Sequence, residues 1–283
     1  LLTGWGSIKI PLAIAEDPGR LTYVCNVSGS VVSSVPIEIV EAGIPVTNWG
    51  DAPAGRVAEA ALTLLLAVLK DLPARQGIIR EGGWRPDGLI RSGLMQGLRV
   101  GCYGCGAIGR SFIAMLEPLG PEIIVFDPYA KDLPAGVKRV DSLEELFRES
   151  EAVALHAGLN DETRGAVNAE LLALLPDDGI LINTARGAIV DQEALFRELE
   201  SGRLRAGLDV LHAEPGESEE IPADHPARQW PNLILTAHAL AKPYPPSKRL
   251  LGMHRQCLEN VRNFVEGKPL KFQMDRTLYD RST

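Results

Sequence analysis

From about residue 98 onward, short apolar runs alternate with stretches whose apolar positions recur every three or four residues. The runs are 98-LRVGCYG, 122-EIIVFD, 152-AVALH, 179-GILINTA, 204-LRAGLDV and 232-NLILTAH, and helical stretches open at Ile108, near Ser142, at 168-NAELLALL and at Asp191. Continuous apolar strands are buried on both faces, and strands separated by helices run parallel, so the pattern predicts a doubly wound α/β domain. Ser142 and Asp191 are placed to cap their helices, and Gly202 follows a last helical turn. Before residue 98 the pattern differs. Two strand candidates, 21-LTYVCNVS and 44-IPVTNW, precede one long helix predicted from about Ala54 to Arg80, and 81-EGGWRPDG reads as a loop. After His238, the Pro-rich 242-KPYPPS leads into an amphipathic helix through Val265, closed by Gly267 and Pro269. The two chain ends therefore read as one smaller domain, residues 1–52 and 243–283, interrupted by a larger one, residues 53–242.

A chain of 283 residues is long enough for two such domains. Its 29 Lys and Arg against 37 Asp and Glu give a net charge of -8, the opposite of a nucleic-acid footprint, so no nucleic-acid partner is expected. The longest apolar run, 60-AALTLLLAVL, is far shorter than the roughly 18 residues of a membrane span, so no membrane partner is expected either. The opening residues have no secretory pattern, and four scattered cysteines are too few for a disulfide-stapled domain, so a reducing, cytoplasmic setting is expected.

The stretch 101-GCYGCGAIGRSF fits two spacings. Cys102 and Cys105 are spaced as a zinc or redox pair, but no second pair exists to complete four ligands and Cys102 lies inside an apolar strand, so no metal is expected. Gly104, Gly106 and Gly109 are spaced as a dinucleotide loop between a strand and a helix, and Asp127 ends the next strand. Gly104 would make the tight turn, Gly106 would admit the pyrophosphate and Gly109 would allow close helix packing, with Ala107 and Ile108 at the helix start. The Asp127 carboxylate suits ribose hydroxyls and repels a 2'-phosphate by about 4 kcal/mol at ~4 Å, so NAD is the expected cofactor.

Ligands of open α/β sheets bind beyond the carboxyl ends of the strands. Those ends carry Asp127, His156, Thr184 with Ala185 and Arg186, Asp209 and His238. An Arg fork can bind a carboxylate and polarise a neighbouring carbonyl, and a His can exchange a proton with the carbonyl oxygen, so Arg186, Glu214 and His238 are the candidates for hydride-transfer chemistry.

From about residue 45 to 270 the chain resembles the D-isomer-specific 2-hydroxyacid dehydrogenases. The matching motifs are 57-VAE, 104-GCGAIG, 126-FDPY, 156-HAGLNDETRG, 182-INTARGAIVD, 208-LDVLHAEP and 235-LTAH. The resemblance implies an NAD-binding Rossmann domain inserted in a smaller flavodoxin-like substrate domain. It implies reduction of a 2-oxo acid, with Arg186 binding carboxylate and carbonyl, Glu214 tuning the histidine and His238 as acid-base. Thr184, Ala185, Asp209 and His238 would border the cofactor, Asp209 at its nicotinamide end. Backbone amides of 27-VSGS-30, at Ser28, Gly29 and Ser30, would hold the substrate carboxylate, and a homodimer would form through the helix after VAE. His156 is expected to pack near the adenine side.

Three positions depart from the family pattern: Pro53 at the first hinge, and Ala241 and Pro243 in the loop after His238. The chain opens at 1-LLTGWG, matching the family's second or third strand, so the small domain is expected without its first strand and helix. Trp5 and Trp49 are candidates for the substrate pocket or the core. The alternative function is an NAD-sensing interaction protein of the corepressor type.

Overall fold

The computed structural model describes residues 1–4, 6–84, 92–213, 219–242 and 252–281. The chain groups into two compact units: residues 1–53, 158–160 and 243–283 form one, residues 54–157 and 161–242 the other.

In the smaller unit β1 (Leu2–Thr3), β2 (Val24–Asn26) and β3 (Val46–Thr47) form a parallel sheet in that order. Val24, Val31, Val35, Ile39 and Val46 make one core with Met274 and Tyr279 from the other chain end. Tyr23, Cys25, Trp49 and Cys257 make a second, closed by Phe264 of the helix Gly252–Val265. The short helices Ile37–Glu41 and Arg276–Arg281 lack a long apolar period, which is why the sequence pattern did not predict them.

In the larger unit seven strands follow in chain order: β4 (Arg99–Tyr103), β5 (Glu122–Phe126), β6 (Lys138–Arg139), β7 (Ala152–Leu155), β8 (Ile180–Asn183), β9 (Arg205–Leu208) and β10 (Leu233–Leu235). They form one parallel sheet in the order β10-β9-β8-β7-β4-β5-β6, so the direction of strand addition reverses between β4 and β7. The two-residue edge strand β6 is solvent-exposed and too short to register as an apolar run. Caps fall where the residue types place them: Ser142 accepts from Glu145 N, Asn168 from Leu171 N and Asp191 from Ala194 N.

The long helix expected over residues 54–80 is two helices, Ala54–Leu69 and Leu72–Arg80. Asp71 between them adopts a left-handed conformation at φ 52°. Pro73 explains the break, since its ring would collide with the carbonyl four residues back and it has no N–H to donate. The first helix buries Ala58, Ala61, Leu64, Leu65 and Val68 against Phe112, Ile113 and Leu116 of the helix Ala107–Leu116. Its exposed positions include Gly55, Glu59 and Thr63.

Candidate functional site

The reversal point between β4 and β7 is where a doubly wound sheet opens a ligand crevice. Gly104 leaves β4 with φ +100°, and a Cβ there would lie 2.8 Å from Ala157 N beyond β7. A Cβ on Gly109 would lie 2.3 Å from the carbonyl oxygen of Gly104, so this glycine lets the helix sit on the turn. A Cβ on Gly106 would meet no heavy atom within 4 Å. Gly106 thus faces open space in front of Ala107, Ile108 and Gly109, whose amides begin the helix and have no acceptor in a preceding turn. A loop open at this one glycine, at a positive helix end, fits a pyrophosphate.

Asp127, just past β5, has a second task that its position in the sequence does not disclose. Its Oδ2 accepts from Cys105 N at 2.7 Å, and its Oδ1 from Tyr129 N at 2.8 Å and Ala130 N at 2.9 Å. It therefore ties the glycine loop to the next turn. Three of roughly four acceptor positions are filled, which leaves about one for a further donor.

At the end of β8, Asn183 shapes the segment that presents Arg186. Its Oδ1 accepts from Ala185 N at 3.0 Å and its Nδ2 donates to Arg186 O at 2.9 Å. Gly187 follows, and a Cβ there would lie 1.9 Å from the carbonyl of Leu211, so only glycine lets this segment cross the one after β9. Burial pulls the Arg186 guanidinium below its ordinary range, while Glu219 acts in the opposite sense. Thr184 is buried, and its Oγ1 has no hydrogen-bond partner.

Asp209 is a scaffold for His238. It is buried at the end of β9, and its Oδ1 accepts from Thr236 Oγ1 at 2.6 Å, Ala239 N at 3.1 Å and Leu240 N at 3.2 Å. Its backbone oxygen accepts from His238 N. The turn held this way puts two consecutive non-glycine residues, Ala237 and His238, in the left-handed region at φ 51° and 52°. Such residues cost on the order of 1–3 kcal/mol each and cluster at working sites. Ala241, where the motif departs from the family, is not among the positive-φ residues.

Glu214 lies outside the described residues, as do Pro243 and Trp5. Among the described residues the carboxylate on His238 is Glu219: its Oε2 lies 2.8 Å from Nδ1, and its Oε1 accepts from Leu211 N at 2.8 Å. The imidazole is more than half exposed. The sequence carries little signal for this pairing, because 214-EPGESEE offers four glutamates within seven residues.

The remaining candidates separate. His156 packs on Phe112 with ring centroids 4.8 Å apart; both its nitrogens are buried without partners, and burial pulls its pKa down to about 4. Cys102 is sealed inside β4, and burial raises its thiol. In the smaller unit, Asn26 Nδ2 donates to Ser28 O, Ser28 Oγ and Ser30 O, and Asn48 Nδ2 donates to Gly29 O. The carbonyls of Ser28, Gly29 and Ser30 are thus held by the side-chain amides of Asn26 and Asn48. A Cβ on Gly29 would lie 2.9 Å from Trp49 Nε1, which places buried Trp49 beneath this loop.

Residues 62–239 match the family model for the D-isomer specific 2-hydroxyacid dehydrogenase, NAD binding domain. The hydroxypyruvate reductase of Thermotoga maritima is 35% identical over 247 residues, covering 86% of this chain and 78% of that protein. The D-3-phosphoglycerate dehydrogenase of Methanocaldococcus jannaschii is 33% identical over 81% of this chain, which spans only 43% of that longer protein. Among solved structures, a glyoxylate reductase from Paecilomyes thermophila superposes with a TM-score of 0.80 at 26% identity, covering 98% of this chain and 83% of that one. A seven-stranded dinucleotide-type sheet, a glycine loop open at Gly106 and these relatives lead to one conclusion: the chain belongs to the D-isomer specific 2-hydroxyacid dehydrogenase family and carries its NAD-binding domain.

Proposed function

We propose that the protein reduces a 2-oxo acid to a D-2-hydroxy acid with NADH and catalyses the reverse reaction. The observation that carries this reading is Glu219, whose Oε2 lies 2.8 Å from His238 Nδ1 and whose charge raises the Arg186 pKa against the effect of burial. Bound NADH supplies the hydride. Arg186 binds the substrate carboxylate and polarises the carbonyl. Glu219 engages His238 at Nδ1, which leaves Nε2 to give a proton to the carbonyl oxygen and to take it back in the reverse direction. Gly104, Gly106, Ala107, Ile108, Gly109 and Asp127 hold the dinucleotide, and Thr184, Ala185 and Asp209 border it. Ser28, Gly29 and Ser30 add backbone donors for the carboxylate. Glu214 is the family-pattern alternative to Glu219 as the partner of His238.

Relatives named hydroxypyruvate and glyoxylate reductases make small 2-oxo acids the first substrates to try. The exposed Leu72 and Ile79 of the second helix fit a homodimer contact. Cytoplasmic residence belongs to the same proposal. The test is NADH oxidation with glyoxylate, hydroxypyruvate and longer 2-oxo acids. Turnover on at least one is expected; tight NADH binding with no turnover on any would replace the enzyme with an NAD-sensing protein.

A further inference from the structure

Two cysteines of the smaller unit have no part in this chemistry, yet they sit against each other. Cys25 lies in β2 and Cys257 in the helix Gly252–Val265, and both are buried. Their contacts are reciprocal: Cys25 Sγ donates to Cys257 O at 3.8 Å, and Cys257 Sγ donates to Asn26 O at 3.8 Å. We propose that Cys25 and Cys257 form a reversible disulfide under peroxide, and that this bridge acts on the VSGS loop. The second half of the inference rests on the reading of that loop as a substrate-carboxylate site.

The reaction balances with hydrogen peroxide as the oxidant. The Cys25 thiolate attacks one peroxide oxygen; the O–O bond breaks, hydroxide leaves and takes a proton to become water, and a sulfenic acid remains. The Cys257 sulfur then attacks the sulfenyl sulfur, the S–O bond breaks, and a second water leaves as the S–S bond forms. Two thiols lose two electrons and two protons, and peroxide becomes two waters. Hydrogen bonding from Cys257 lowers the Cys25 thiol below its ordinary range against the opposing effect of burial, with smaller help from Tyr23 and Thr47. Cys257 is raised, so the pair has a designated nucleophile. Cys257 keeps 5% exposure and Cys25 none, so entry is limited to an oxidant near the size of water and to openings of the helix Gly252–Val265.

The link to the loop runs through one residue. Asn26 accepts from Cys257 Sγ through its carbonyl and organises Ser28 and Ser30 through its side-chain amide. Bridging removes the first bond and pulls β2 towards the helix.

The test is peroxide treatment of the full chain, alkylation and mass mapping without reductant. A peptide linking Cys25 to Cys257 is expected, absent after dithiothreitol and absent in Cys257→Ser, with Cys102 and Cys105 still alkylated. Cys257 recovered alkylated, or oxidised singly without a link, would overturn the bridge. This mapping needs no activity and no folded variant, so it is independent of the proposed function. In the enzyme assay the bridge should raise KM for the 2-oxo acid several-fold without changing the Kd for NADH, reversibly, and Cys257→Ser should keep its KM under peroxide. A bridge that forms while KM stays fixed would overturn the coupling to the loop.

Discussion

His156 carries an imidazole whose neutral form the fold enforces. Its ordinary pKa of 6.5 falls to about 4 because both ring nitrogens are out of water with no partner. The depressed value means that the unfolded chain binds the proton first as pH falls. Stability should be full above about pH 6.5, decline between there and pH 4, and level off below; 2.5 pKa units set an upper bound of about 3 kcal/mol for this group. Urea unfolding of wild type and His156→Leu across that range measures it: the stability of wild type relative to the variant should fall as pH falls, and a constant difference would contradict the burial. His238 raises a different question, which carboxylate serves it. With Glu219 at 2.8 Å, Glu219→Gln should lower kcat at least about tenfold, on the order of 1.4 kcal/mol, with NADH affinity unchanged, and Glu214→Gln should do less. The reverse ranking would return the role to Glu214. Neither Glu219 nor the three-bond anchoring by Asp209 was legible in the sequence, because both depend on side-chain directions set by a strained turn.

The strands and helices of the larger unit were legible because a parallel sheet covered on both faces writes itself as unbroken apolar runs, and 98-LRVGCYG, 122-EIIVFD and 152-AVALH became β4, β5 and β7. The break at Asp71 was missed because apolar residues continue through it, although Pro73 was there to signal it. The three loop glycines were legible as a spacing, while their separate tasks follow from what a side chain at each would strike. Gly109→Ala would force a methyl onto the Gly104 carbonyl and should cost stability on the order of 1–3 kcal/mol. Gly106→Ala meets no protein atom and should unfold like wild type, yet it should weaken NADH binding if the pyrophosphate passes there. Thermal unfolding and NADH titration of the two variants separate these roles. Equal effects of both substitutions on both measurements would contradict the assignment.

At the scale of the whole chain there are two units: one holds the dinucleotide-type sheet with Arg186, Asp209 and His238 past its strand ends, the other the VSGS loop and the cysteine pair. No helix among the described residues is long and apolar enough to cross a membrane. A net charge of -8 repels anions in general, so under the proposed function local donors must overcome it. The family follows from the comparisons, and the proposed acid-base role rests on the contact between Glu219 and His238. The most direct measurement is therefore single-turnover NADH oxidation by wild type and His238→Ala on whichever 2-oxo acid turns over fastest, with NADH affinity measured in parallel. Loss of one positioned acid-base predicts a rate lower by roughly a hundred- to ten-thousandfold at unchanged NADH affinity. An undiminished rate in the alanine variant would mean that the proton comes from elsewhere and that the geometry around His238 serves another purpose.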